Sequence, residues 1–324
     1  MKNILKYTMA AAFAMTTMFS AALADVTIKV AYENNPGEPV DLVVNEWAKM
    51  LKERSNGTIT LELYPSSQLG SKQDVTEQAM LGSNVITISD VGFLADFVPD
   101  LGILFGPYLS DSPEKLFAIY ESDWFKEKEK ELADKGIHLV MKNYLYGVRH
   151  LIATRPVNTP ADMKGMKIRT PNNIMQIKAI EAMGGTATPM PLGEAYTAMS
   201  QGIIDGVENP LAVIYGAKFQ EEAKYLSMIG YLLNTSQFIG GEAFFQTLSE
   251  EDSALIHETA YEAGLYSQKL AAESDAGFIE KFKEAGVEVI YPDQAPFRDA
   301  ALAVYSQFPE WSDGLYEKIQ SQLK

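Results

Sequence analysis

The sequence predicts an α/β protein of two lobes, with one long helix lying across both. Three observations carry that expectation. A strand–helix–strand rhythm opens the folded chain, the same rhythm returns near residue 166, and an unbroken helical pattern of about 36 residues follows Ser249. Once a leader of about 24 residues is set aside, about 300 of the 324 residues remain, enough for two cores of ordinary size.

The leader comes first in the chain. Lys2 and Lys6 flank the start of an apolar stretch from Met9 to Phe19, and Ala22-Leu23-Ala24 supplies the small residues of a cleavage site before Asp25. A membrane anchor is not expected, because the stretch includes Thr16 and Thr17 and falls short of the ~20 residues a bilayer requires. The chain has no cysteine, which excludes disulfides, thiolate chemistry and a lipid-bearing cysteine at the cleavage site. An exported protein without a lipid anchor stays with its cell only behind an outer barrier, so the periplasm is the expected compartment.

From Val26 to Tyr32, apolar and polar residues alternate as in a strand. Val40, Val43, Val44, Trp47, Met50 and Leu51 recur at helical spacing, and Asn56-Gly57 stops that helix. Alternation resumes from Thr58 to Leu63, and a strand–helix–strand unit of this kind argues for parallel strands. The second rhythm has a short strand from Met166 to Thr170, cut by Pro171. A helix from Asn173 to Met183 then closes on Gly184-Gly185, and another from Leu192 to Gln201 closes on Gly202, before a short strand from Gly206 to Glu208. Ser249 and Asp252 form a capping pair for the long helix, which nothing strong interrupts before Gly286. At ~1.5 Å per residue it would reach ~54 Å, longer than one small domain is wide, with a kink near Ser274-Asp275 as one way to fit. The charge run from Lys126 to Lys130 reads as a solvated helix face.

Composition narrows the function classes. The 47% apolar and 22% charged fractions belong to a globular chain and exclude a disordered one. The formal charge of −16, which becomes −18 once Lys2 and Lys6 leave with the leader, repels nucleic acid and anionic lipid. No GxGxxG follows a strand and no phosphate-binding GxxxxGK occurs, so no nucleotide cofactor is expected. His138, His150 and His257 are far apart in the chain and in no metal-ligand spacing. Ala198-Met199-Ser200-Gln201-Gly202 imitates a nucleophile elbow, but its serine ends a helix where the elbow requires a strand. With no poised acid–base set, binding is favoured over turnover.

Two arginines stand out by position. Arg169 lies at the carboxyl end of a Pro-terminated strand, the rim where open α/β sheets bind ligands. Arg149 follows Gly147, after an apolar stretch that suits a chain crossing between lobes. Each is compatible with a surface ion pair as well as with a carboxylate fork. Asn209-Pro210 has the form of a helix start, Asn at the N-cap and Pro in the first turn, and such a residue at a sheet rim is also placed to touch a ligand.

Five ordered motifs then carry a family resemblance: Tyr64-Pro65-Ser66-Ser67-Gln68-Leu69-Gly70, Gly147-Val148-Arg149, the run from Asp162 to Pro171, the run from Pro189 to Ala198, and Asp205-Gly206-Val207-Glu208-Asn209-Pro210. The chain resembles the solute-binding proteins of TRAP (tripartite ATP-independent periplasmic) transporters, of the dicarboxylate- and sugar-acid-binding type. The resemblance implies a two-lobed periplasmic binding protein fold, type II-like, which closes around an organic acid and delivers it to a membrane permease driven by an ion gradient. It implies Arg169 as the clamp on the ligand carboxylate, Arg149 as a second anion-facing residue and Asn209 as a hydrogen-bond donor to the carboxylate. Glu33 stands where sialic-acid binders carry Asn, which argues against a sialic acid. Asp90 stands where sugar-acid binders place a pocket acid, and Lys72 follows the Gln68-Leu69-Gly70 turn near the same cleft. A solvated rim is the alternative for these three.

Carboxylates accept paired bonds from adjacent hydroxyls, so an arginine clamp facing acids suits a uronate, aldonate or keto-sugar acid. The alternatives are a C4-dicarboxylate, a sialic acid or an ectoine-like zwitterion within the same family, an exported sugar-acid enzyme, or a sensor co-receptor. A zwitterion usually calls for an aromatic box, yet Trp47 reads as helix core and Trp124 and Trp311 as late helical positions. The expected protein is a monomer without cofactor, metal or nucleic-acid partner. Its expected division is 1–24 as leader, 25–146 with 235–274 as the first lobe, and 147–234 with 275–324 as the second.

Overall fold

The computed structural model describes residues 26–324, and the expected leader and its cleavage site lie outside them. Alternation builds β1 (Val26–Ala31), with Ile28 and Val30 buried. α1 (Pro39–Arg54) follows and buries Val40, Val43, Val44, Trp47 and Leu51 at the expected spacing. Asn56 and Gly57, at φ 53° and 86°, turn the chain into β2 (Ile59–Tyr64), which lies parallel to β1. α2 (Lys72–Met80) leads to β3 (Val85–Ser89), on the other side of β1 and also parallel to it. α3 (Val91–Leu94), α4 (Pro113–Tyr120) and α5 (Asp123–Asp134) complete this part of the first lobe.

β4 (Ile137–Ala153) then carries the chain into the second lobe. There β5 (Lys167–Thr170), α6 (Ile174–Ala182), β6 (Thr186–Pro189), α7 (Leu192–Ser200) and β7 (Gly206–Pro210) follow the expected rhythm, and α8 (Leu211–Gly216) closes it. β8 (Tyr225–Gly241) returns to the first lobe. After it come α9 (Glu242–Phe245), the long α10 (Glu250–Glu284), β9 (Glu288–Ile290), α11 (Ala295–Ala301) and α12 (Leu315–Gln322).

The strands share one nine-stranded sheet in the order β2-β1-β3-β8-β4-β7-β5-β6, with β9 beside β8. The expectation of parallel strands holds at both ends but fails in the centre, where β3–β8, β4–β8 and β4–β7 are antiparallel. The cause is the pair of 17-residue strands β4 and β8, which at ~3.3 Å per residue are long enough to pass through both lobes. Their register shifts four times between Leu139 and Leu151, so the ladder bends where the lobes join. Gly147 serves this bend: its φ is 124°, and a Cβ there would meet Pro210 at 3.0 Å.

One core packs Ile28, Val43, Trp47, Phe238 and Ile256, and another packs Ala195, Val207, Ile214, Phe219 and Phe282. α10 touches α1 and β4 in the first lobe and α8 and β9 in the second, so it does lie across both. Its backbone is helical through Ser274-Asp275, Ser249 Oγ caps it by accepting from Asp252 N at 3.0 Å, and Gly286 follows its end at φ 74°. The C-terminal segment packs on α6 and also reaches the first lobe, where Trp311 Nε1 donates to Pro99 O at 3.0 Å and Ser312 N to Asp100 Oδ1 at 2.8 Å.

Three local expectations are corrected. Asn209 does not cap a helix: it lies inside β7, whose pairing with β4 continues to Pro210, and the helix starts at Leu211. Lys128 departs from the solvated run because α5 turns it inward, where it is 13% exposed with Nζ 3.0 Å from Asp100. Trp124 stands in the first turn of α5, and Trp311 lies outside the helices.

Candidate functional site

β5 sets Arg169 at its carboxyl end, and Pro171 stops the strand two residues later. The side chain is 2% exposed. Its Nε and Nη2 donate to Met190 O at 3.0 and 2.7 Å. No carboxylate among the described residues forms an ion pair with it. Burial depresses its pKa from the ordinary arginine value, and the nearby charge of Glu33 partly opposes the shift. Two of the five guanidinium N–H groups are thus spent on backbone, and the outer edge is left for a ligand.

Arg149, on β4, is held differently. Its Nη2 donates to Glu208 Oε1 and to the Glu208 carbonyl, each at 2.9 Å, its Nε donates to Glu208 Oε2, and its Nη1 donates to Asn234 Oδ1 at 2.9 Å. Burial works against the charge, but Glu208 outweighs it and holds the guanidinium pKa above its ordinary value. Glu208 is wholly buried and also accepts Tyr231 OH at 2.6 Å and Gln176 Nε2 at 3.2 Å. Arg149 therefore reaches the cavity already neutralised. Asn209, beside His150 of β4, has its Oδ1 buried without a partner.

The first lobe supplies the facing wall. Ser71 and Asp74 form the capping box of α2, which places Lys72 in the first turn. Asp90 caps α3, its Oδ1 accepting from Gly92 N and Phe93 N at 3.1 Å, while its Oδ2 accepts Lys72 Nζ at 3.1 Å. Lys72 also stands 4.4 Å above the Phe93 ring. Glu33 follows β1, and its Oε1 accepts Leu192 N, at the start of α7 in the other lobe, at 3.4 Å.

All six residues expected from the sequence, Arg169, Arg149, Asn209, Glu33, Asp90 and Lys72, line one cavity between the lobes. Sequence reasoning missed other residues of the same wall, including Tyr146, Gln176, Asn234 and Ser236, and missed Glu208 behind them. A signal existed for two of these. Asn234-Thr235-Ser236-Gln237 is a polar run inside a long strand, and every member is buried.

The cavity is lined by three cations and two carboxylates, with the Glu208 carboxylate behind them. Arg149 is paired with Glu208 and Lys72 with Asp90. Arg169 and Glu33 are left without ion-pair partners among the described residues. Chemically this is a site for one anionic group with hydrogen-bond donors elsewhere on the molecule.

Away from the cavity, the structure pairs two histidines that are distant in sequence. His138 Nε2 and His257 Nε2 lie 2.9 Å apart, and Glu242 Oε2 is 2.7 Å from His138 Nδ1. Among the described residues, no group of three or more His, Cys, Asp or Glu is arranged to hold a metal ion.

The model of the family DctP, bacterial extracellular solute-binding protein, family 7, matches residues 30–310. A solved structure of a TRAP periplasmic solute-binding protein from Ochrobacterium anthropi, with bound L-fuconate, is 65% identical at a TM-score of 0.92, covering 93% of this chain and 100% of that one. A second, from Actinobacillus succinogenes with bound L-galactonate, is 43% identical at a TM-score of 0.90, covering 92% and 99%. The sialic acid-binding periplasmic protein of Vibrio cholerae is 31% identical over 95% of each chain.

Proposed function

The chain belongs to the DctP family of bacterial extracellular solute-binding proteins, and on that premise we propose that it captures a six-carbon sugar acid, an aldonate such as L-fuconate or L-galactonate. The solved relatives are TRAP periplasmic solute-binding proteins, and the family implies a small carboxylate as ligand and a TRAP permease as partner. Among the described residues, no helix is long and apolar enough to cross a membrane. In our reading the protein works in the periplasm as a monomer and returns its ligand unchanged.

The pairing of charges carries the ligand class. Among the described residues, Arg169 alone of the three cavity cations has no carboxylate partner, so one ligand carboxylate is compensated and a second is not. In a closed, desolvated cleft a second carboxylate would meet Glu33, whereas a hydroxyl would donate to it. The ligands bound to the relatives at 65% and 43% identity support the same class. L-Fuconate is L-galactonate without its C6 hydroxyl, so the two are alike from C1 to C5.

Titration calorimetry on the purified protein tests this reading. L-Fuconate and L-galactonate should bind at micromolar Kd or tighter, about −8 kcal/mol, and succinate at least roughly a hundredfold more weakly. Recovered ligand should be chemically unchanged by mass spectrometry. Succinate binding as tightly as the aldonates would overturn the ligand class, and a converted ligand would overturn the binding role.

A further inference from the structure

We infer that Gln176 reads the hydroxyl next to the ligand carboxylate, so that the site takes 2-hydroxy acids and turns away their 2-deoxy and 2-oxo analogues. The inference rests on the sugar-acid reading above and assigns one contact within it.

Gln176 is placed by the turn that follows Arg169. Pro171 ends β5, and Asn173 caps α6 with its Oδ1 accepting from Met175 N at 3.0 Å and Gln176 N at 3.2 Å. Gln176 thus sits in the first helical turn beyond the clamp strand and on the same lobe. It is 1% exposed and lines the cavity. Its Nε2 donates to Glu208 Oε1 and to Tyr231 OH, both at 3.2 Å, while Tyr231 OH donates to Glu208 Oε2 at 2.6 Å. Both amide hydrogens are therefore spent. Turning the amide over would press its carbonyl against a carboxylate, so the orientation is fixed by its neighbours.

That orientation leaves Oε1 as a buried acceptor with no partner among the described residues. Such an atom is costly to leave unpaired, and a donor arriving with the ligand removes the cost. With a carboxylate on Arg169, the first donor a sugar acid can offer the second lobe is its C2 hydroxyl. A methylene at C2 would leave Oε1 unpaired, and a carbonyl would oppose it with a second acceptor. Being neutral, the amide also accepts a hydroxyl beside the ligand carboxylate without repelling that carboxylate, as a Glu in its place would. The acid of the site that is left unpaired, Glu33, belongs to the opposite lobe.

The test compares ligands first and a variant second, both by calorimetry. In the wild-type protein, 2-deoxy-L-galactonate and the 2-oxo counterpart of L-galactonate should bind at least about tenfold more weakly than L-galactonate, as expected for a site built to pair a hydroxyl. Gln176→Met, similar in length but without the carbonyl, should weaken L-galactonate and bring its preference over the 2-deoxy acid to within about twofold, as loss of the one discriminating pair requires. Equal wild-type affinity for the hydroxy and deoxy acids overturns the inference and leaves the sugar-acid reading standing, and this arm decides even if the variant fails to fold. A folded Gln176→Met that keeps the wild-type preference overturns it as well. Failure of the wild type to bind any aldonate is the separate failure of the sugar-acid reading, and the inference falls with it.

Discussion

Arg149 and Arg169 are hidden from water to nearly the same degree, 4% and 2% exposed, but their burial is offset in different ways. Arg149 has a carboxylate in bidentate contact, whereas Arg169 has only the carbonyl of Met190. Removing Arg149 would strand Glu208 as an uncompensated buried charge, so Arg149→Ala should lower stability by about 3–5 kcal/mol in denaturant melts. Arg169→Ala breaks no ion pair among the described residues and takes two donors from one backbone carbonyl, so stability should fall by only about 1–3 kcal/mol. Aldonate binding should nevertheless weaken by a few hundredfold or more, about 3–5 kcal/mol. Lysine should rescue poorly, because it keeps the charge and loses the fork. Binding by Arg169→Ala within about threefold of wild type, about 0.6 kcal/mol, would refute the clamp. Glu33→Gln should weaken the sugar acid by more than about tenfold and leave a simple carboxylate almost unaffected, since only hydroxyl donors need that acceptor. The rim position of Arg169 was legible in the sequence, because a strand end and Pro171 coincide there, while its role as clamp came only from the family resemblance. The pairing of Arg149 with Glu208 was not, because it joins residues 59 apart through a strand contact that no local pattern encodes.

At the scale of elements, periodicity revealed those with one wet and one dry face. α1 and α10, and the strands β1 and β2, all follow their patterns closely. β8 was not anticipated, because it is buried on both faces from Asn234 to Gly241 and therefore does not alternate. Asn209-Pro210 misled for a related reason: a capping pattern is local, and the ladder to β4 overrides it. α1 also carries a titration device at its start. Its N-cap residue Glu38 is 5% exposed and accepts Asn34 Nδ2 at 2.8 Å and Asn35 Nδ2 at 3.1 Å. Burial pushes its carboxyl up to about 7, and the two asparagines pull against that shift. The folded protein therefore holds this proton more tightly than the unfolded chain. The contribution of Glu38 is fully present below about pH 4.5 and is lost as pH rises through about 7. Glu38→Gln, which keeps a carbonyl for one of the two asparagines, should raise stability at pH 8 by up to about 3 kcal/mol and do little at pH 4.5. Thermal melts at the two pH values decide it, and an equal gain at both would show that the effect is not the proton.

On the scale of the whole molecule, the two lobes and the helix across them were legible from rhythm and length, but the contacts across the cleft were not, because they depend on how finished lobes meet. Four of those contacts, around the cavity, are long. Asn173 Nδ2 reaches Asp90 Oδ1 at 3.4 Å, Leu192 N reaches Glu33 Oε1 at 3.4 Å, Asn172 Nδ2 reaches Gln73 Oε1 at 3.3 Å, and Asn35 Nδ2 reaches the Gly216 carbonyl at 3.4 Å. The side-chain bonds from Arg149 to the Glu208 carboxylate, within one lobe, are by contrast 2.9 Å or shorter. Hydrogen bonds at 3.3–3.4 Å lie beyond the usual range of ~2.7–3.2 Å and stabilise weakly, so these four do little by themselves to hold the cleft shut, and the shorter ties between the lobes lie away from the cavity, at Pro99 and Asp100. The register breaks of β4 and β8 leave a bend on which they can swing. A ligand held by Arg169 on one lobe and Glu33 on the other adds contacts that exist only in the closed arrangement, and it shifts the population by that differential affinity. The radius of gyration from small-angle scattering should therefore fall when wild-type protein is saturated with L-fuconate. Arg169→Ala at the same ligand concentration should not contract. An unchanged wild-type profile with a tightly bound aldonate would mean that the lobes are already locked, and affinity would then have to come from a rigid pocket in place of closure.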